Sequence, residues 1–349
     1  MDNILPAYDD PLFSILIIIV LVLIVAFSSL IIGTYKEKNK KKSLKKFLGG
    51  FSQDKTLLEI EEIPFEKALI KPLSLLAEAF KNQGQYQKAI TLNLYLIENI
   101  SNFFEKEKIL EELGQTYLKA GFLKRSKSIY LEILKKHPRN KEALYHLGVV
   151  YELLHEFDEA MTTLKPLEIL GENTSELSAH LELSKLLENH QISKEEKVKH
   201  LIALLEIETY PYRRIMKALF SLDFNAAWHH IENEQIMSIL DILWLLPSSN
   251  LNFDIISKNE RLSAIYLAKG ILETNDYTIK SDIFSIDTII SAKKGGNGAV
   301  DLLFSYSCGK CKNHFPIGFT RCPKCYAIAA IKIKETLVEK QSQKSYSLL

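Results

Sequence analysis

The sequence predicts a mostly α-helical protein that consists of one membrane-spanning helix, a solenoid of paired helices and a small β module built around a metal ion. Three observations predict this fold class: an uncharged apolar run near the N-terminus, a 34-residue repeat within a long stretch of helical apolar spacing, and four clustered cysteines near the C-terminus. The few prolines and glycines, 10 and 14 of 349 residues, also favour helices. The predicted segments are 1–35 (N-terminal segment and spanning helix), 36–64 (basic juxtamembrane stretch and linker), 65–291 (helical array), 292–334 (metal module) and 335–349 (polar tail).

The predicted membrane span covers residues 13–32, which contain no Asp, Glu, Lys or Arg. As a helix this run is about 30 Å long, which matches the hydrocarbon core of a bilayer. Three aspartates precede it, whereas seven lysines follow between Lys36 and Lys46. The positive-inside rule then predicts an N-terminus outside the cell membrane and a cytoplasmic body.

Two other interpretations of the apolar run and of the lysines after it are less consistent with the sequence. A cleaved signal peptide has positive charge before a shorter apolar run, and here the charge follows the run. The lysines could also form a nucleic-acid patch, but their position directly after the span favours anionic lipid headgroups. Net charge is +1, so composition gives no support for nucleic acid as a partner.

The repeat is visible as the pattern Leu-Gly-x2-Tyr, which occurs at residues 113–117 and again at 147–151. A small residue follows on the predicted second helix of each unit, at Ala89, Ser126 and Ala160. These positions and the period resemble the tetratricopeptide repeat, in which small residues let two helices approach closely. The pattern decays after residue 175, where the number of repeats stays open and a generic helical bundle is the alternative.

A tetratricopeptide-type solenoid curves, and its first helices line a concave groove suited to peptides or proteins. On that face of the third unit we predict Tyr145, Val149 and Glu152 as partner-binding residues. Each of them could equally occupy an ordinary position between repeats.

The most specific motif is Cys308-x2-Cys311, ten residues, then Cys322-x2-Cys325. Two Cys-x2-Cys turns facing one another supply four thiolates in a tetrahedron, which suits zinc, and iron is possible with the same ligands. Four cysteines close the coordination shell, so a structural site is predicted, with His314 as a surface loop residue. Strands predicted at Val300–Ser307 and Ala327–Lys334 complete a zinc ribbon or rubredoxin-like module.

Other interpretations of the cysteines are less consistent with the sequence. Two disulfides would require an oxidising compartment, which the predicted topology opposes, and no βαβ context supports a redox dithiol. Zinc ribbons often contact nucleic acid, and basic residues beside the cysteines could support such contact: Lys310, Lys312, Arg321 and Lys324.

The sequence does not predict an enzyme. It contains no HExxH, GxSxG or GxxxxGK[ST] motif. The glycine-rich run Lys293–Gly298 lacks the spacing of a phosphate-binding loop, so we interpret it as a connector between the helical array and the metal module.

The combination of span, repeats and cysteine module resembles the lipopolysaccharide assembly protein B family (LapB, also called YciM) of Gram-negative bacteria. The most specific part is YSCGKC…RCPKC followed by Ile331-Lys332. The twelve residues before the span and the sparse aromatic residues between the cysteine pairs, Phe315 and Phe319, depart from the family's pattern.

The resemblance implies an inner-membrane adaptor that presents the committed deacetylase of lipid A synthesis to a membrane-bound AAA protease and so limits lipopolysaccharide production. It also implies a metal module that packs against the repeats, with Cys308, Cys311, Cys322 and Cys325 as the ligands. Two other classes of function stay open from the residues alone: a general membrane-tethered scaffold for an envelope or secretion assembly, and a nucleic-acid-binding zinc-ribbon protein.

Overall fold

The computed structural model describes residues 65–273 and 279–340, which fall into two compact units divided after Thr116. Most of these residues are helical, and a small three-stranded sheet lies at the C-terminal end. Among the described helices, none combines the length and the apolar character needed to cross a membrane. The predicted span at 13–32 and the basic stretch and linker at 36–64 lie outside the described residues.

The helices follow one another with short connections. They are α1 (Ile70–Asn82), α2 (Tyr86–Asn99), α3 (Phe103–Lys119), α4 (Leu123–Lys136), α5 (Lys141–Leu153), α6 (Phe157–Thr162), α7 (Leu164–Ile169), α8 (Ser175–Glu188), α9 (Lys194–Leu205), α10 (Tyr212–Leu222), α11 (Phe224–His229), α12 (Leu240–Leu245), α13 (Phe253–Lys258), α14 (Glu260–Lys269) and α15 (Phe284–Lys294). Short 3-10 helices lie at Lys67–Leu69, Asn233–Ile239 and Ser248–Asn250.

The helices of the array recur as pairs, which gives the chain a repeat-like fold. The first helices of successive pairs begin at residues 70, 103, 141, 175 and 212, so the starts are 33 to 38 residues apart. Residue 175, where the sequence pattern decays, is the start of another helix pair, α8 and α9. The pairing of helices thus continues beyond the part of the chain in which the sequence pattern is clear.

The turn inside each of the first three pairs has the same backbone geometry. An N–H donates to the carbonyl five residues earlier in each turn: Gln85 to Phe80, Phe122 to Tyr117 and Glu156 to Tyr151. The preceding residue has a left-handed backbone, with φ of +77° at Gly84, +79° at Gly121 and +61° at His155. This is the Schellman ending of an α-helix, which satisfies the last carbonyls and turns the chain into the second helix.

Close helix packing explains why the third pair of helices has a glycine at residue 148. A Cβ added to Gly148 of α5 would lie 2.7 Å from the Oγ1 atom of Thr163, which follows α6. Tyr151 packs beside this contact against Phe157 and Ala160. The predicted role of Gly148, to let two helices approach, is confirmed by this distance.

The later helices share one large apolar core with the sheet. Trp228 and Tyr266 are fully buried at its centre, and Leu302 of the first strand joins the same cluster. Side-chain caps start several of these helices; for example, Asp223 accepts a hydrogen bond from the N–H of Ala226 at the start of α11. The packing thus links the helical array and the sheet into one body within residues 117–340.

The sheet is antiparallel with the order β2-β1-β3, formed by β1 (Val300–Cys308), β2 (His314–Phe315) and β3 (Ile331–Glu339). β1 agrees with the prediction, but the second predicted strand, 327–334, is displaced. Tyr326 and Ala329 have left-handed backbones with φ of +59° and +48°, which an extended strand does not allow. β3 therefore begins at Ile331 and pairs with β1 as far as Glu339, inside the segment predicted to be a polar tail.

We expect Gly148→Ala to destabilise the protein by about 1–3 kcal/mol, because the new methyl group overlaps the buried Thr163 side chain. Urea unfolding measures this change, and Gly298→Ala is the control because a Cβ there meets no atom within 4 Å. In a Thr163→Ala background the cost of Gly148→Ala should fall. An equal cost in both backgrounds would contradict the packing argument.

Candidate metal centre

The four cysteines lie on two turns that have the same hydrogen-bond pattern. In the first turn the N–H of Cys308 donates to the carbonyl of Asn313, and the N–H of Lys312 donates to the carbonyl of Cys308. In the second, the N–H of Cys322 donates to the carbonyl of Ala327 and the N–H of Tyr326 to that of Cys322. All four hydrogen bonds are 2.9 Å long. The two Cys-x2-Cys segments are thus equivalent knuckles that face each other.

The sulfur positions match a tetrahedral metal site. The Sγ atoms of Cys308 and Cys325 are 3.7 Å apart, as are those of Cys311 and Cys322, and all four lie within 4.8 Å of one another. Metal–sulfur bonds of about 2.3 Å in a tetrahedron place the sulfur atoms about 3.8 Å apart. A disulfide requires about 2.05 Å, so these pairs are free thiols. The four cysteines can therefore bind a metal ion such as zinc.

The electrostatics of the cluster also favour a cation. Burial raises the pKa of the Cys311 thiol, but hydrogen bonds from Asn313 and from neighbouring thiols outweigh it and bring the pKa to about 6. Burial and three neighbouring sulfur atoms raise the pKa of Cys325 to about 12. Four thiolates cannot coexist at these distances unless a positive charge lies between them. His314 lies on β2 with an exposed side chain and is not part of the cluster.

The cysteine module is bonded to the helical array through Arg321, the residue before Cys322. Its guanidinium donates to the Glu152 carboxylate of α5 through Nε, at 3.0 Å, and through Nη2. Its Nη1 donates to the carbonyl of Tyr326, to which the Tyr145 hydroxyl also donates, at 3.3 Å. Arg321 is 9% exposed, so this ion pair is buried.

A histidine connects the other oxygen of Glu152 to a second arginine. Arg214 Nη1 lies 2.8 Å from His180 Nδ1, and a guanidinium can only donate, so Nδ1 is the acceptor. The imidazole proton is then on Nε2, which donates to Glu152 Oε1 at 2.7 Å. Burial lowers the pKa of His180, which keeps the ring neutral near pH 7. Burial alone raises the pKa of Glu152, but the hydrogen bonds from His180 and Arg321 lower it to about 2.

Two of the three residues predicted to bind a partner, Tyr145 and Glu152, lie at this internal contact, where their polar groups are bonded to the cysteine module. The third, Val149, is buried, with 1% of its surface exposed. Their binding to another protein stays a prediction, and it would require the module to move away from α5. Four basic residues of the module were considered as contacts to nucleic acid. Three of them, Lys310, Lys312 and Lys324, are exposed, whereas Arg321 is buried.

Sequence reasoning missed His180, which is hydrogen-bonded to Glu152, and Arg214, which is hydrogen-bonded to His180. Neither residue lies in a motif, and helix packing brings them to this site from α8 and α10. Arg321 could have been identified by its position directly before Cys322, from which its side chain contacts the helical array.

No protein-family model matches this chain, and a search of curated proteins finds no significant match.

We expect the purified protein to contain one zinc ion per chain and Cys308→Ser or Cys325→Ser to lose it, with local unfolding of the module. Structural zinc contributes about 10–16 kcal/mol to the folding of such small modules, which cannot form a sufficient apolar core. Elemental analysis measures the metal, and limited proteolysis detects unfolding of the module. His314→Ala should retain full metal content; a metal-free wild-type protein or loss of metal from this control would refute the assignment.

Arg321→Met should destabilise the metal-loaded protein by about 3–5 kcal/mol, because it leaves the Glu152 carboxylate buried without its partner. Lys141→Met is the matched control: it removes an exposed ion pair with Glu172, which has a 2.6 Å separation, and should cost about 0–1 kcal/mol. Denaturant unfolding monitored by Trp fluorescence compares the two. If both substitutions cost the same, the buried pair does not hold the module in place.

Proposed function

We propose that this protein is a membrane-tethered adaptor whose helical repeats bind proteins and whose metal module is structural. The observation that carries the proposal is the combination, in one chain, of a 20-residue apolar run, an array of helix pairs and a four-cysteine cluster bonded to that array. The repeat pairs are proposed to be tetratricopeptide units and the cysteine module a rubredoxin-like zinc ribbon. A closed four-thiolate shell leaves no open position for a substrate, which favours binding over catalysis.

The proposed process is the control of lipopolysaccharide synthesis, in which the adaptor presents the lipid A pathway deacetylase to a membrane AAA protease. This part rests on the resemblance of YSCGKC…RCPKC and the surrounding architecture to the lipopolysaccharide assembly protein B family. The corresponding location is the bacterial inner membrane, with a single span at 13–32, a periplasmic N-terminus and a cytoplasmic body. The lysines between Lys36 and Lys46 support this orientation.

A surface suited to a protein partner lies in the first unit, between α1 and α3. Exposed apolar side chains line it, with Leu75 58% exposed and Phe104 73% exposed. Charged residues of both signs surround them, among them Lys71 and Glu105. Apolar side chains within a polar rim are the usual composition of a protein–protein interface.

Depletion of the protein should raise the level of the deacetylase and of lipopolysaccharide, because the client would no longer reach the protease. Immunoblotting of the deacetylase after depletion measures this effect. Wild type and His314→Ala should restore the low level, whereas Cys308→Ser and a form without residues 13–32 should not. If depletion changes neither the enzyme nor lipopolysaccharide, the proposed pathway is wrong.

Affinity capture from the same cells, after gentle solubilisation, identifies the dominant partner and separates this adaptor from a scaffold of another assembly. The paired variant Leu75→Asp/Phe104→Asp tests the surface directly, because both side chains are exposed and their replacement leaves the core intact.

A further inference from the structure

A cavity of about 230 Å³ lies between the array and the cysteine module, within the second unit. Helices α8 and α10 and the segment before α10 form one wall, and residues of the loop between β2 and β3, together with the start of β3, form the other. At about 30 Å³ per water-sized group, the space holds roughly eight non-hydrogen atoms. It is therefore large enough for a small organic molecule and too small for a folded partner.

The module contributes the apolar wall of the cavity. Phe319, Ile328 and Ile331 line this side, and Tyr210 and Pro211 continue it before α10. A ligand that fills this part must have a hydrocarbon chain or ring, because a fully hydrated ion would lose its water here without replacement.

The opposite wall carries a half-buried guanidinium, that of Arg214, which makes no direct ion pair among the described residues. Arg213 is neutralised by Asp241, to which its Nη2 donates at 2.7 Å. Arg214, in contrast, donates only to neutral groups, namely His180 and the hydroxyl of Ser184. The carboxylates of Glu152 and Glu188 act on Arg214 at longer range, but they are hydrogen-bonded to Arg321 and His155. Among the described residues, the Arg214 guanidinium therefore has no carboxylate in direct contact.

Lys217 adds a second positive charge on the same wall, one turn further along α10. Its side chain is exposed, and no ion pair of Lys217 is found among the described residues. Glu176 and Glu208 of the cavity are exposed as well, so solvent screens these three charges alike, and the half-buried Arg214 is the least screened of the four. The start of α10 adds to the preference for an anion, because its first turn contains two arginines and no acidic residue.

We propose that this cavity binds a small organic anion, a carboxylate or phosphate with an apolar body and about eight non-hydrogen atoms in all. The charged head contacts Arg214 and Lys217, and the apolar body lies against Phe319, Ile328 and Ile331. Because the two walls belong to the array and to the module, the bound molecule also strengthens their contact. The proposal is independent of the pathway proposed above.

The test is equilibrium dialysis of the full-length, metal-loaded chain against radiolabelled hexanoate, with propyl phosphate and the uncharged hexanamide as parallel probes of equal size. Hexanoate or propyl phosphate should bind with one site per chain, and the tighter of the two identifies the head group. Hexanamide should bind about tenfold more weakly, since it lacks the charge that Arg214 and Lys217 recognise. Addition of the binding anion should also raise the melting temperature.

Two variants locate the site. Lys217→Gln should weaken binding of the anion about fivefold, whereas Lys199→Gln, an exposed lysine of α9 outside the cavity, should leave it unchanged. Ile328→Trp should abolish binding by filling the space, and its circular dichroism spectrum and metal content verify folding. The hexanamide comparison does not depend on any variant. Absence of saturable anion binding to wild type, equal binding of hexanamide, or an equal effect of the two lysine variants would overturn the proposal.

Discussion

The contact between Arg321 and Glu152 is the point through which the metal module and the helical array depend on each other. Removing a guanidinium and a carboxylate from water is costly, and the cost is recovered only when both are fully hydrogen-bonded. Here both carboxylate oxygens have donors, from Arg321 on one side and His180 on the other, and Arg321 also donates to the carbonyl of Tyr326. Either partner without the other would be a buried, uncompensated charge.

Because Glu152 and Arg321 must stay paired, metal binding is connected to the docking of the module on the helices. Arg321 immediately precedes Cys322, and Tyr326 immediately follows Cys325, so the metal ligands and the docking residues belong to the same knuckle. Loss of the metal would release that knuckle and, with it, the donors of Glu152. A second contact ties the other end of the module, where the Tyr306 hydroxyl donates to Asp241 at 2.8 Å. The module is therefore held at two separate places on the helices.

The docked module also determines which surfaces a partner can reach. The sequence predicts Tyr145, Val149 and Glu152 on the concave face of the third pair; in the structure Tyr145 and Glu152 contact the module and Val149 is buried. Among the described residues of the first unit, the apolar side chains of Leu75 and Phe104 are exposed. A protein partner is accordingly proposed at the first helix pairs, and a small ligand between α10 and the module.

Spacing along the chain was sufficient to predict the helix pairs of the first repeats, the strand at Val300 and the four-cysteine cluster, because each depends on residues close in sequence. The four-cysteine cluster requires only two Cys-x2-Cys turns and a connection long enough for them to face each other. The close packing of two paired helices requires only a small residue that recurs at the repeat period. The displaced start of β3 escaped prediction because left-handed residues at Tyr326 and Ala329 belong to the knuckle and not to the strand. Arg321 and Glu152 are 169 residues apart, and nothing local marks either as the other's partner. This ion pair forms only when the packed helices and the module exclude water from the surface that they share. The hydrogen bonds of His180 and Arg214 beside it form for the same reason.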